Sequence, residues 1–274
     1  MGISLKVLIE DTGSEHQALG KEHGLSVYVE TPQSRFVFDC GASGLSWRNA
    51  LLMGVKLTRV EFVVISHAHY DHAGGFPSLL ERVKIRRLYT GPGFWEEKFA
   101  AAPEGRKYTY LGAGFTASDL QDWQVEQNIC EDLLPLDDTA WLVGAFVRQE
   151  PMETIPARFV RGEEKRPDDF RDEICLVLRE GDGVALVTGC AHPGILNMVR
   201  TVHERLKLPV RSVVGGMHLK EASAERIERT LAALRGMGLC RMGLCHCSGD
   251  AVRERLAVDD VAGCSLGTGD LIEF

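Results

Sequence analysis

Three histidines and an aspartate fall within the six residues His67-Ala68-His69-Tyr70-Asp71-His72, just ahead of Ala73-Gly74-Gly75. Imidazoles and a carboxylate suit zinc, iron or manganese. Side chains alternate along a chain leaving a strand, so His67 and His69 project to one side while Asp71 and His72 turn toward a second position. One loop can thus feed two neighbouring metal ions. The plain alternative is a polar loop that happens to be histidine-rich, but the whole chain has only nine histidines, and three in one tight loop argue against chance.

The elements that must position this loop are legible around it. Val60-Glu61-Phe62-Val63-Val64-Ile65 reads as a buried strand feeding it, and Gly74-Gly75-Phe76-Pro77 opens a helix to about Val83, its small residues letting backbone pass close to the loop. Upstream, Leu5 to Glu10, Leu25 to Glu30 and Arg35 to Asp39 alternate as half-buried strands, with Thr31-Pro32-Gln33-Ser34 as a turn. Asp39-Cys40-Gly41 ends a strand and precedes a helix at Trp47 to Met53. The polar stretch from Asp11 to Gly24 carries His16 and His23, read as loop histidines more than ligands.

The strand-to-polar-loop arrangement recurs in the second half. A hairpin, Ile174 to Arg179 and Val184 to Thr188, delivers Thr188-Gly189-Cys190-Ala191-His192-Pro193-Gly194 ahead of an amphipathic helix from about Ile195 to Leu206. Val210 to Val214 leads into Gly215-Gly216-Met217-His218-Leu219 and a helix from about Ala222 to Arg235. His218 is placed to face a cleft, or else to cap or pack against that helix. Leu239 to Leu244 leads into Cys245-His246-Cys247-Ser248-Gly249, with a helix over Asp250 to Leu256. The cysteines beside His246 invite a structural zinc, but the chain holds no CxxC pair to complete one. His203, inside a helix, reads as a surface residue.

From Arg87 to Asp138 the pattern weakens. Phe94, Trp95, Tyr108 and Tyr110 interleave with glycine there, as in a lid or substrate wall, or else pack in the core. Trp141 to Val147 and Arg158 to Val160 read as further strands, and the charges from Arg161 to Asp169 as a solvated surface loop.

The string His67 to His72, behind its apolar strand and ahead of two glycines, resembles the HxHxDH signature of the metallo-β-lactamase superfamily. The segments around His192, His218 and His246 extend the likeness over nearly the whole chain. They are similar to the branch of metal-dependent hydrolases related to a dihydropterin ribofuranosylaminobenzene phosphate synthase. The resemblance implies an α/β fold, the four-layer αββα sandwich, as one domain over residues 1–274. It implies two divalent metal ions, zinc first with iron or manganese as alternatives: His67, His69 and His192 hold the first, and Asp71, His72 and His246 the second. Cys190 stands where many relatives carry a bridging aspartate; a thiolate would favour zinc, whereas a merely buried thiol would leave the second ion weakly held. Asp39 matches an Asp-x-Gly element that supports the metal loop from behind, though an ordinary turn aspartate reads the same.

The expected activity is metal-dependent hydrolysis at a mono- or binuclear site, with a water activated at the metal and Asp71 and His218 as the acid/base or substrate-contacting groups. Substrates would be small, of phosphorylated or pterin-like type. A thioester hydrolase of the glyoxalase II type and a non-catalytic metal sensor are the alternatives. The diiron redox branch fits less well, because it places a glutamate where His69 stands.

Composition sets the outer limits. A chain of 274 residues with 45% hydrophobic content can bury a large core, and no linker divides it. A net charge of −8 without a basic stripe speaks against nucleic acid as a partner. Eight cysteines without a secretory signal read as free thiols, and no apolar run reaches membrane-span length, so a cytoplasmic protein off the membrane is expected. The oligomeric state stays open.

Overall fold

The computed structural model describes residues 2–13, 18–105, 107–256 and 262–274; His16 lies outside them. In chain order the elements are β1 (Ser4–Ile9), β2 (Ser26–Glu30), β3 (Arg35–Cys40), α1 (Leu45–Leu52), β4 (Phe62–Val64), α2 (Tyr70–Ala73), α3 (Phe76–Leu80), β5 (Arg87–Thr90), β6 (Lys98–Ala101), β7 (Tyr108–Tyr110), α4 (Ala117–Asp122), β8 (Glu126–Ile129) and β9 (Leu133–Asp137). They continue with β10 (Ala140–Val143), β11 (Phe159–Arg161), β12 (Arg166–Pro167), β13 (Cys175–Glu180), β14 (Gly183–Thr188), α5 (Ile195–Leu206), β15 (Val210–Gly215), α6 (Ala224–Gly236), β16 (Arg241–Leu244), α7 (Asp250–Leu256), β17 (Ala262–Ser265) and β18 (Leu271–Glu273).

Two seven-stranded sheets run β18-β1-β2-β3-β4-β5-β8 and β17-β16-β15-β14-β13-β10-β9, and a four-stranded sheet runs β12-β11-β6-β7. Each large sheet is antiparallel over one part and parallel over the other: β3, β4, β5 and β8 in the first, β14 to β17 in the second. The parallel strands β3, β4, β14, β15 and β16 send their carboxyl ends to the same edge, where open α/β sheets hold ligands.

Alternation along the strands builds the layers. Phe36, Phe38, Phe62 and Val64 point into the space between the sheets and meet Leu176, Leu178, Val187 and Val214 there. The residues between them face outward: Val37 and Val63 pack under helices with Ala50, Phe76 and Leu79, while Val177, Leu186 and Val213 pack under α5 and α6 through Leu196, Val199, Ile227 and Leu231. Each such buried side chain contributes about 1.5–3 kcal/mol. The result is helix, sheet, sheet, helix, the αββα sandwich.

Helix α5 shows why a loop before it stays fixed. Leu196, Val199 and Val202 lie on its buried stripe, and the Glu153 carboxylate accepts from the Leu196 and Asn197 N–H groups at 2.8 and 2.9 Å. Those N–H groups lack helical partners, and an anion also suits the positive helix end. The helix stops at Lys207, left-handed at φ 56°.

The weak stretch from Arg87 to Asp138 is more regular than its sequence suggests, holding β5 to β9 and α4. Phe94 is 2% exposed and joins Phe76, Trp95, Phe115 and Trp123 in one aromatic cluster, while Tyr108 and Tyr110 stand exposed on β7. The aromatic residues singled out there are core or surface, but Ala100 of β6 and Leu111 belong to the same stretch and line the cleft over the site beside Phe159 of β11. The expected strand from Trp141 to Val147 ends at Val143, since Ala145 turns left-handed at φ 47°. The charged loop is also not wholly solvated: Asp168 is buried and paired with the equally buried Lys98.

Candidate metal centre

The loop after β4 is pinned from behind by Asp39. Its Oδ1 accepts the Ser66 N–H at 2.7 Å, its Oδ2 accepts the Ser66 hydroxyl at 2.9 Å, and the same Oδ2 lies 2.7 Å from His72 Nδ1. Asp39 is itself left-handed at φ 58°, a turn that aims its carboxylate across to the loop. Ser66 Oγ in turn sits 3.0 Å from His67 Nδ1. With Nδ1 engaged in both histidines, their Nε2 atoms are left to face inward. The Ala68 N–H, between His67 and His69, donates to Asp172 Oδ2 at 2.9 Å. The close passage at Gly75 is against the turn after β3 rather than against the metal loop itself: a Cβ there would fall 2.2 Å from the Cys40 carbonyl oxygen.

The loops of His192 and His246 are each held by a buried carboxylate. Glu173 accepts from the Ala191 and His192 N–H groups at 2.6 and 2.9 Å. Glu10 accepts the His246 N–H at 2.5 Å and the Arg253 guanidinium at 3.0 Å. Asp11 reaches His246 Nδ1 at 2.7 Å and His23 Nδ1 at 2.8 Å. These outer groups set how the imidazoles point.

The sequence-predicted residues converge. Donor atoms of His67, His69 and His192 lie within 4.8 Å of one another, as do those of Asp71, His72 and His246, and all of these residues are buried. Cys190 joins the two groups: its Sγ is 3.3 Å from His72 Nε2, and it falls in one cluster with His67 and His72 and in another with His246 and Cys247. His218 faces the same cleft, its ring 4.3 Å from that of His192, rather than serving only the helix that follows. His23, expected to be an ordinary loop residue, also lines the cleft, with Nε2 3.3 Å from Asp71 Oδ2.

The donor set fits a divalent ion. His67 Nε2 and both ring nitrogens of His192 are buried without any hydrogen-bond partner, which costs free energy unless something else engages them. Burial holds His67 and His192 well below the usual histidine range and His69 at about 3, so these imidazoles are neutral, the form that binds metal. Burial also pushes Asp71 up, but His72, His246 and His69 together bring its carboxyl far below the ordinary range, so it is ionised. For His246 the cost of burial is outweighed by Asp11 and Asp71, and its pKa rises. Burial raises Cys190 well above the usual thiol range, with Cys247 adding to it. Cys247 moves the other way, to about 7: burial opposes the shift, but contacts with Cys190, His246 and the His218 backbone outweigh it.

Above the centre lies a cleft of about 280 Å³. Phe159 from β11 and Ala100 from β6 form one wall, and Arg158 and Lys220 stand at its side. Arg158 pairs with Glu221 and lies 4.5 Å over the Phe159 ring. Behind this wall Phe170 stacks on His192, ring centroids 3.7 Å apart.

Several of these groups carry no motif in the sequence. Glu10, Glu173, Asp172 and Lys98 are single charges at the ends of apolar strands, and the one available signal is Asp172-Glu173 set directly against the buried run from Ile174. Asp11 and His23 sit in a polar stretch that reads as loop.

Two sheets in an αββα sandwich, with histidine clusters at the carboxyl ends of their parallel strands, define a metallohydrolase-like fold. Residues 19–195 match the family model described as the metallo-β-lactamase superfamily, and the chain belongs to that superfamily. It is 26% identical over 284 residues, covering 90% of this chain and 88% of the relative, to the 7,8-dihydropterin-6-methyl-4-(β-D-ribofuranosyl)-aminobenzene-5'-phosphate synthase of Methanocaldococcus jannaschii. The crystal structure of Tm1679, described as a metal-dependent hydrolase of the β-lactamase superfamily, shares 25% identity with a TM-score of 0.84 over 99% of both chains. The metallo-β-lactamase fold protein YhfI from Bacillus subtilis, at 12% identity, TM-score 0.60 and full coverage of both chains, shares the fold alone. Among the described residues no helix is long and apolar enough to cross a membrane.

Proposed function

We propose that this chain is a metal-dependent hydrolase with two adjacent metal positions, acting on a small, anionic substrate. The observation that carries the reading is the pair of histidine-rich clusters joined through Cys190, with orphaned inward imidazole nitrogens at the floor of an open cleft. His67, His69 and His192 would hold the first ion, and Asp71, His72 and His246 the second, with Cys190 between them. When bound, the ions would supply Lewis acidity and a water acidified to near neutral pH. Zinc suits the imidazole-rich set best, with iron or manganese as alternatives.

The protein's own groups would do the rest. Phe159 and the neutral rings of His192 and His218 form an aromatic face against which a planar substrate can lie. Burial holds His218 at about 4, so at neutral pH it is uncharged and offers one ring nitrogen as acceptor and the other as donor. Arg158 and Lys220 supply positive charge for a phosphate or carboxylate at the cleft side. Asp71, ionised and buried, would accept a hydrogen bond from a water in the cleft and guide its proton, its carboxyl being held too far below the ordinary range to keep that proton itself.

A second reading draws on the Methanocaldococcus jannaschii relative, whose name is that of a synthase for an aminobenzene ribofuranosyl phosphate carrying a dihydropterin. An aromatic wall beside two cations is compatible with a substrate of that kind.

The test begins with elemental analysis of protein purified without chelator or affinity metal, beside the His67→Ala variant. About two equivalents of zinc, iron or manganese, reduced in the variant, are expected. A phosphoester and thioester screen then follows, in which Asp71→Ala should abolish most turnover while the protein stays folded. Unchanged turnover in Asp71→Ala, or native protein that takes up no metal, would rule the mechanism out.

A further inference from the structure

We infer that Cys247 is a second thiol donor at the second metal position, which makes that position a two-thiol site for a thiophilic ion. The inference rests on the two-metal reading and adds to it a donor outside the ligand set drawn from the superfamily.

The geometry comes from an unusual local turn. Neighbouring residues in extended chain point to opposite sides, so an imidazole and the thiol next to it would normally diverge. At His246 the backbone is left-handed, φ 50°, and it enters a single 3-10 turn over His246–Ser248. That turn brings consecutive side chains to one place. Donor atoms of His246, Cys247 and Cys190 all lie within 4.8 Å of one another.

The surroundings leave room for the thiol at that place. Cys247 Sγ rests 3.4 Å from the Cys190 carbonyl oxygen, between the Gly189-Cys190 loop and the Gly215-Gly216 loop. A Cβ at residue 216 would come within 2.5 Å of that sulfur and 2.4 Å of the Gly189 carbonyl oxygen. Glycine at this position therefore admits the sulfur. Cys247 also lines the cleft, whereas its neighbour Cys245 is buried in the packing between the sheets. Of the two cysteines flanking His246, one serves the core and the other faces the metal donors.

The chemical consequence is selectivity. Carboxylate and imidazole donors alone accept manganese readily; two sulfurs shift preference toward zinc, iron or copper(I). Each thiol would lose its proton on binding the ion.

Cobalt(II) reads the sulfur count directly, because thiolate-to-cobalt charge transfer absorbs in the near ultraviolet and imidazole or carboxylate ligation does not. Metal-stripped wild type, Cys190→Ser, Cys247→Ser and the double variant are titrated with cobalt, with circular dichroism confirming the fold of each. Wild type should show a strong near-ultraviolet band at two equivalents, each single variant about half of it, and the double variant none. Full band intensity in Cys247→Ser overturns the assignment and leaves the two-metal reading standing. Uptake of fewer than two cobalt ions by wild type overturns both.

Alkylation of wild type keeps the question decidable if Cys247→Ser fails to fold. Peptide mass mapping after iodoacetamide should find Cys247 protected with two equivalents of cobalt and labelled once a chelator has removed them. Equal labelling in both states, or a Cys190–Cys247 disulfide in freshly purified protein, counts against the assignment.

Discussion

Asp11 Oδ1 lies 2.7 Å from His246 Nδ1 across a separation of 235 residues, and the other oxygen of the same carboxylate lies 2.8 Å from His23 Nδ1. One aspartate thus orients two imidazoles, each presenting Nε2 3.3 Å from Asp71 Oδ2. Outer carboxylates of this kind fix ring orientation and raise ligand basicity.

Asp11→Ala should therefore weaken binding at the second metal position by about 10- to 100-fold and leave the first nearly unchanged. Competition against a chromophoric chelator resolves the two affinities. Equal loss at both positions would show that Asp11 supports the fold generally rather than this ligand.

Glu173 tests the loop of His192. Its carboxylate takes two buried backbone N–H groups, and Glu173→Ala would strand both at about 1–3 kcal/mol each. Denaturant unfolding of metal-stripped protein should show that loss, with the first metal position weakened as His192 drifts. Unchanged stability would mean that water replaces the carboxylate without cost.

Lys98 lies 2.6 Å from Asp172 Oδ1 and 2.9 Å from Asp168 Oδ2, all three buried. Burial alone would lower the lysine pKa, but the two aspartates raise it above the usual value. Lys98→Met leaves two buried carboxylates without a counter-charge and should cost about 3–5 kcal/mol. Because Asp172 also holds the Ala68 N–H, metal affinity should fall with it. A variant as stable as wild type would show that the network is dispensable.

The metal-stripped protein should be acid-sensitive. Burial depresses His67, His69, His192 and His218, bringing His69 to about 3 and His218 to about 4. A depressed histidine contributes stability above its unfolded pKa of about 6.5 and loses it as pH falls, at about 1.4 kcal/mol per pH unit for each group. His23 and His246 are raised, so their contribution is already complete at pH 6.5 and does not offset the loss below it. Thermal melts of stripped protein should fall from pH 7 to pH 5, and bound metal should flatten the profile. A melting temperature that rises over this interval would contradict neutral buried histidines.

The sequence by itself determined the strand-loop units and nearly all of the clustered donors. His67, His69, Asp71 and His72 are local in the chain, and His192, His218 and His246 each follow an apolar strand that must be buried. Period-two alternation likewise showed that Phe36 and Val37 face opposite sides of their strand, while the stacking of two sheets came from the family resemblance. Apart from Asp39, whose supporting place the family resemblance already suggested, tertiary structure alone decided what stands behind the donors. Whether Asp168 is a solvated charge or a buried partner of Lys98 depends on a strand 70 residues away. The same holds for Glu10, Asp11 and Glu173, whose partners lie far along the chain, and for His23, which reads as loop until Asp11 turns it into the cleft. A charged side chain shows the same face to a sequence pattern whether it meets water or a counter-charge. Only the packed chain sets which it meets, because the cost of burying the charge and the partner that offsets it come from segments far apart in sequence.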